Sequence, residues 1–347
     1  MASHRRPKQP SRARVTVLTA TAAAAVALTS QSAQADPKPS KSEVKAKVDK
    51  LYEEAGKATE KFNGAKEQQG KLQKQVDTIQ DRVARGQDGL NELRDSLGSV
   101  ASAQYRSGGM DPSMQLFLSS DPDDYLEQAS ALDQLGAKQS EAIAEIRAKQ
   151  RALAQQREEA QEKLGDLADS RAELGAKKRE VQSKLSAAQK LLNSLSAQER
   201  AELRQEEQKR ADRATERAEL AADKADKAEP ASGRASSAYS AGQSKIGKPY
   251  VYGASGPDSF DCSGFTSWSF AQAGISIPRT SQAQAAIGTR ITSQSDLKVG
   301  DLVFFYSDLH HVGFYAGNGQ ILHSPRTGAV VRYESIDNMP YQFGVRV

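Results

Sequence analysis

The sequence predicts an all-α antiparallel coiled-coil hairpin followed by a small α+β domain built on an antiparallel sheet with helices. Three observations carry this. Aromatic residues are segregated: seven of nine Phe, seven of ten Tyr and the only Trp lie after residue 235. The two hundred residues before them are rich in Ala, Glu, Lys, Gln, Arg and Leu, the composition of long helices. Short apolar runs broken by turn residues appear only near the C-terminus, where one domain of about 110 residues can close a core.

The first segment has the layout of a secretory signal peptide. Arg5, Arg6, Lys8, Arg12 and Arg14 precede an apolar run from Val15 to Leu28, and Ala33-Gln34-Ala35 is a small-x-small cleavage site. A mature chain starting near Asp36 is expected to be secreted to the cell envelope. An uncleaved membrane anchor is the alternative, although the run is shorter than the roughly 20 residues a span needs. Without residues 1–35 the chain holds 43 basic against 44 acidic residues, so its charge gives no basis for nucleic-acid binding.

The helical region, 36–220, carries heptads. Val44, Val48, Leu51, Ala55, Ala58, Phe62, Ala65, Leu72, Val76, Ile79, Val83, Leu90, Leu93, Leu97 and Val100, with Gln69 and Gly86 at the two off-type positions, follow an alternating 4,3 spacing, which specifies a left-handed coiled coil. The pattern breaks at 105–112, and a connector is expected over about 105–124. Asp121-Pro122 reads as an N-cap and first helical position. The heptads then resume, with Ile146, Leu153, Ala160, Leu167, Leu174, Val181, Ala188 and Leu195 in one column and Ile143, Leu164, Leu185 and Leu192, but also Gln150, Arg157, Arg171 and Lys178, in the other. Two long helices about a short connector predict an antiparallel hairpin; a parallel dimer of one broken helix is the competing arrangement. Residues 221–237 read as a flexible linker of Ala, Ser, charge, Pro230 and Gly233.

In the C-terminal segment, 238–347, Asp261 precedes Cys262 at the start of a helix that Gly274 would end. Cys262 is the only cysteine and cannot form a disulfide within its own chain. The N–H groups of a helix start favour a thiolate and can face a developing oxyanion. Asp301–Tyr306 reads as a buried strand, His311–Ala316 as a second, Asn318-Gly319 as a tight turn and Gln320–His323 as a third. That hairpin brings His323 near His311, so a thiol, a base and an orienting imidazole fall within one small domain. A buried structural cysteine is the plainer reading of Cys262. No Cys/Asp/Glu set with zinc spacing accompanies the histidines, and no phosphate-binding glycine loop is present. Neither metal nor cofactor is expected.

The runs GKPYVYGASGPDSFDCSGFT, PRTSQAQ, LKVGDLVFF and HHVGFYAGNGQILHSPRTG resemble the NlpC family of cell-wall cysteine peptidases. The resemblance implies a papain-like fold and hydrolysis of peptidoglycan stem peptides, commonly between γ-D-glutamate and a diamino acid. It implies Cys262 as nucleophile, His311 as base and His323 as the orienting third residue, with Tyr250, Asp261, Ser263, Arg279 and Ser281 at the substrate. Read alone, Tyr250 is equally a core tyrosine, Asp261 a helix cap and Arg279 a surface charge. Ala254 stands where many members carry a second glycine. The helical half, with its YRSGGMDPSMQLFLSSDPDDYLEQASAL stretch, resembles the hairpins of division-associated wall hydrolases. That resemblance implies a membrane division complex as partner and a regulating or localising role for the coiled coil. A scaffold with a restrained peptidase domain, or an acyl transferase or amidase on the same fold, are the alternatives.

Overall fold

The computed structural model describes residues 39–106, 114, 122–225 and 233–347. The signal-peptide segment, most of the connector and the middle of the expected linker lie outside the described residues.

Helix α1 (Lys41–Arg106) and helix α2 (Pro122–Asn193) pair along their lengths. Their cross-contacts run in opposite senses: Lys184 with Glu54, Arg171 with Gln73 and Arg157 with Gln87, which is the antiparallel hairpin. The seam buries Val44, Val48, Ala55, Ala58, Ala65, Val76, Ile79 and Leu90 against Leu153, Leu167, Val181 and Ala188. Ile143 and Leu164, of the second α2 column, are exposed, because one partner helix covers only one stripe. Phe62 leaves the seam and packs on Tyr252 of the C-terminal domain, with ring centroids 5.8 Å apart.

The chain departs from a two-helix region at Ser194–Ser196. There Ser196 Oγ accepts from Glu199 N (3.2 Å) while Ser196 N donates to the Glu199 carboxylate (2.8 Å). This reciprocal capping box starts a third helix, α3 (Ala197–Ala225), whose signal Ser-x-x-Glu stands openly in the sequence. Helix α3 belongs to the C-terminal domain as much as to the hairpin, since Ala214 and Ala218 are buried in that domain's core. It is tied to α1 through Lys41 and Glu202 (3.0 Å) and to the domain through the Glu207–Arg326 ion pair. Residues 233–237, expected within the linker, open helix α4 (Gly233–Gln243), which buries Ala235.

The C-terminal sheet has six strands in the order β1-β6-β2-β3-β4-β5, and every neighbour pairing is antiparallel. The strands are β1 (Thr289–Ile291), β2 (Leu302–Phe305), β3 (His311–Gly317), β4 (Gln320–His323), β5 (Arg332–Ser335) and β6 (Tyr341–Arg346). Strand β2 divides its side chains by alternation. Leu302 and Phe304 join Val312, Phe314 and Leu322 under α3, α4 and helix α5 (Cys262–Gln272), where Phe265 and Phe270 complete the core. Val303 and Phe305 pack on the other face with Ile321, Ile336 and Leu297. Each fully buried Phe contributes roughly 2–3 kcal/mol of transfer free energy. The β3–β4 turn has positive φ at Asn318 (51°) and Gly319 (69°), the geometry its Asn-Gly pair predicts.

Candidate active site

Asp261 organises the helix that Cys262 begins. Its backbone is extended (φ −92°, ψ −179°), and its carboxylate accepts from Gly264 N at 2.7 Å, capping α5 so that Cys262 is the first helical residue. Gly264 is required here, because a Cβ would fall 2.1 Å from the Ala254 carbonyl oxygen. Asp261 is fully buried and also receives Gly253 N (2.9 Å) and two Arg279 nitrogens (2.6 and 3.0 Å). Arg279 in turn donates to Ser263 Oγ at 2.8 Å. Of the alternatives weighed from sequence, the capping aspartate is realised alongside its place in the site, and Arg279 is a half-buried ion-pair partner of it, not a surface charge.

Strands β3 and β4 supply the imidazoles. Gly313 lies opposite His323, and a Cβ there would sit 2.9 Å from His323 Cβ. The missing side chain lets the strands close on that face, and His311 Nε2 lies 2.8 Å from His323 Nδ1. Burial holds the His311 imidazole well below its usual range, with the neighbouring histidines adding to it. His323 is lowered by burial and drawn back up by Glu334 on β5, whose Oε2 is 3.2 Å from His323 Nε2. Glu334 also receives Arg332 (3.1 Å) and Asn338 (3.1 Å). Burial pushes its carboxyl up, but the His323 hydrogen bond and the His323 and Arg332 charges outweigh this and hold it well below the usual carboxylate range. His310 does not join this set. It hydrogen-bonds Asp308, stacks on Tyr306 with centroids 4.1 Å apart, and lies beneath Gly56 of α1.

The mouth of the site is filled by α1. Gly56, Thr59, Glu60 and Asn63 follow an i, i+3, i+4, i+7 stripe facing the C-terminal domain. Thr59, Glu60 and Asn63 are each at most 3% exposed. Glu60 accepts from Ser263 Oγ (2.7 Å) and from Ser281 N (2.8 Å) at helix α6 (Ser281–Gln284). Asn63 donates to Asp261 at 3.0 Å, and Phe62 covers Gly253. The Cys262 thiol donates toward Glu60 Oε1 (3.8 Å) and the His310 carbonyl (3.7 Å). Among the described residues no hydrogen bond joins it to His311. Burial raises the thiol far above its ordinary pKa, and the charges of Glu60 and Asp261 push it further. Burial and the Asp261 charge likewise raise Glu60 to about 7. Tyr250 is buried, its hydroxyl also raised by burial, and it hydrogen-bonds Thr59. Behind the histidines a polar cavity of about 700 Å³ opens between α1, α3 and the sheet, lined in part by Asp49, Glu53, Glu207, Arg326 and Glu334.

Of the sequence-predicted residues, Cys262, Asp261, Ser263, Arg279 and Ser281 thus gather about Glu60 with Tyr250 on Thr59 beside it, and the His311–His323 pair adjoins them where the His310 carbonyl lies 3.7 Å from the Cys262 sulfur. Glu60 and Glu334 were not anticipated. Glu60 sits between Lys57 and Lys61 in a heptad helix, and its one signal was that its neighbours on its own helix face, Gly56, Thr59, Asn63 and Gly64, are small and uncharged. Glu334 lies in Arg-Tyr-Glu-Ser, which reads as an ordinary half-exposed strand.

Residues 247–345 match the NlpC/P60 family model. A probable endopeptidase of Corynebacterium glutamicum is 48% identical over 106 residues, covering 30% of this chain and 50% of that protein. A probable endopeptidase p60 of Listeria welshimeri is 50% identical over 95 residues, 27% of this chain and 18% of that one. The chain therefore spans half or less of these relatives. Among solved structures, the NlpC/p60 domain of the peptidoglycan hydrolase SagA is 35% identical, covering 33% of this chain and 98% of that one, with a TM-score of 0.31. The peptidoglycan hydrolase RipB of Mycobacterium tuberculosis is 30% identical over 33% of this chain and 65% of that one, with a TM-score of 0.30. The C-terminal region of this chain belongs to the NlpC/P60 family.

Proposed function

We propose that the protein is an exported peptidoglycan endopeptidase that hydrolyses stem-peptide amide bonds, with γ-D-glutamyl–diamino acid as the bond cut. The observation that carries this reading is a cysteine at a helix N-terminus, its sulfur 3.7 Å from the carbonyl of His310, next to a strand whose His311 is hydrogen-bonded to His323, inside an NlpC/P60 domain. In the reaction His311 takes the thiol proton and the Cys262 sulfur attacks the carbonyl carbon. The tetrahedral oxyanion faces the N–H groups at the start of α5. Collapse breaks the C–N bond, the amine leaves with the proton held by His311, and a thioester remains. Water, deprotonated by His311, then attacks the thioester and releases the acid. Full-length protein carrying Cys262→Ala is expected to leave defined muropeptides uncut by mass spectrometry; cleavage that persisted would refute the assignment. The masses of the wild-type products separate endopeptidase from amidase or acyl transfer.

A regulating role for the coiled coil is supported by Glu60. The α1 stripe fills the cleft, and Glu60 occupies the donors that a substrate carboxylate would use, Ser263 Oγ and Ser281 N. Its charge adds to burial in raising the thiol pKa. In our reading the described state is closed, and substrate enters only when α1 withdraws. An external partner acting on the hairpin, such as a membrane division complex, supplies that displacement. Glu60→Arg in the full chain is expected to raise hydrolysis about tenfold or more, since a buried charge of the wrong sign beside Arg279 costs several kcal/mol. Unchanged low activity in that variant would count against closure by α1.

A further inference from the structure

Carboxylates are acceptors only, and this decides the proton positions along the chain of groups behind Cys262. Glu334 is anionic, held so by Arg332, Asn338 and His323. The nitrogen that faces it, His323 Nε2, must therefore carry a proton to make the 3.2 Å contact. A neutral imidazole with its proton on Nε2 presents Nδ1 as an acceptor. The 2.8 Å contact then requires the proton of His311 to lie on its own Nε2. What remains is His311 Nδ1, unprotonated like His323 Nδ1 but, unlike it, with no hydrogen-bond partner among the described residues. A single carboxylate at the far end of the relay so fixes two tautomers in series.

We propose that Glu334 is a positioning residue of the active site, setting the His311–His323 tautomers so that His311 offers Nδ1 as the base. The chemistry rests on the thiol-peptidase reading above; the tautomer assignment does not. When His311 Nδ1 accepts the Cys262 proton, the imidazolium keeps donating through Nε2 to His323, and His323 to Glu334. The new positive charge thus faces a fixed negative one across one ring, without any second proton leaving its atom. Among the described residues Glu334 makes no hydrogen bond to the Cys262 sulfur and reaches His311 only through His323. Its neighbours Arg332 and Asn338 leave Oε2 aimed at the ring while neutralising part of its charge.

Nitrogen-15 NMR on histidine-labelled full-length protein tests this. The four histidines are assigned through single substitutions of His4, His310 and His323, the remaining signal being His311. In the wild type at pH 7, both rings are expected as Nε2–H tautomers. In Glu334→Gln, whose amide can donate or accept, the two tautomers are expected to mix at both rings. Asn338→Ala, which keeps the carboxylate and removes one of its contacts, is expected to leave both rings unchanged. A wild-type His311 protonated on Nδ1 would overturn the proposal, and this holds even where the Glu334→Gln variant fails to fold. So would unaltered tautomers in a folded Glu334→Gln variant, or ring shifts in Asn338→Ala as large as those in Glu334→Gln. In muropeptide hydrolysis Glu334→Gln is expected to lower kcat about 100-fold with KM within about twofold, since positioned proton transfer is worth that much. If neither the wild type nor the Glu60→Arg variant cuts any muropeptide, the peptidase reading is refuted and the tautomer result stands.

Discussion

Asp261 shows how much one side chain can hold. It caps α5, fixes the turn at Gly253, binds Arg279 and meets Asn63 from α1, all from a fully buried position. Removing Arg279 would leave that carboxylate without its cation. Arg279→Ala is expected to destabilise the domain by about 3–5 kcal/mol, read as a lower denaturant midpoint at unchanged slope. Arg279→Lys recovers only part, because an ammonium cannot span both carboxylate oxygens and Ser263 together. The residues proposed as nucleophile, base and third member were legible in the sequence as candidates, because a family motif names them and an Asn-Gly hairpin brings 311 and 323 together. Glu334 was not, since alternation along a short strand says which face a residue occupies and nothing about the ring it meets on the neighbouring strand.

The element that most departs from its sequence reading is α1. A heptad pattern explains the seam that faces α2 and leaves the other faces to solvent, yet 56–63 present a second, polar stripe to the catalytic cleft. That stripe was illegible because burial of Thr59, Glu60 and Asn63 depends on a surface about two hundred residues downstream. Its energetics predict a pH response. Glu60 is raised from 4.5 to about 7 in the closed state, by burial first and then by Asp261, with Ser263, Ser281 N and Arg279 opposing. A group raised in the closed state binds a proton on closing. Closure is therefore at full strength below about pH 4.5 and weakens as pH rises through about 7. The dependence on pH of basal hydrolysis by the full chain, divided by that of Glu60→Gln, is expected to rise across that window. A flat ratio would show that Glu60 does not titrate on opening. Gly56→Leu offers an independent test: a Cβ at 56 already lies 3.2 Å from the His310 ring, so a larger side chain is expected to lift α1 and raise basal activity.

For the whole molecule, the hairpin and the catalytic domain are joined twice, by α1 across the cleft and by α3 against the core. The described α1 would extend about 100 Å at 1.5 Å per residue, enough for a force applied far from the cleft to reach it. A reversible staple tests whether activity requires the two parts to separate. Gly64 and Thr280 face each other, a Cβ at 64 lying 3.9 Å from Thr280 Cγ2. Cysteines at both positions fall within reach of a disulfide. Oxidised full-length protein is expected to be inactive and to recover on reduction; full activity while crosslinked would mean the cleft admits substrate with α1 in place. The division into helices and sheet was legible because aromatic content and heptads change together near residue 235. The docking of α3 was not, although its capping box was in plain view, because Ala214 and Ala218 look the same on a solvated helix as on a buried one.

Glu60 is covalently part of the chain it stoppers, which gives the closed form a property no diffusible inhibitor has. Its local concentration is set by the length of peptide between α1 and the cleft and not by how many copies are present, so diluting the protein cannot free it. Specific activity should stay constant over several decades of enzyme concentration, and a free muropeptide would have to reach the millimolar range to compete with its tethered rival. A polymer that offers many stem peptides side by side meets that demand where a dilute fragment does not.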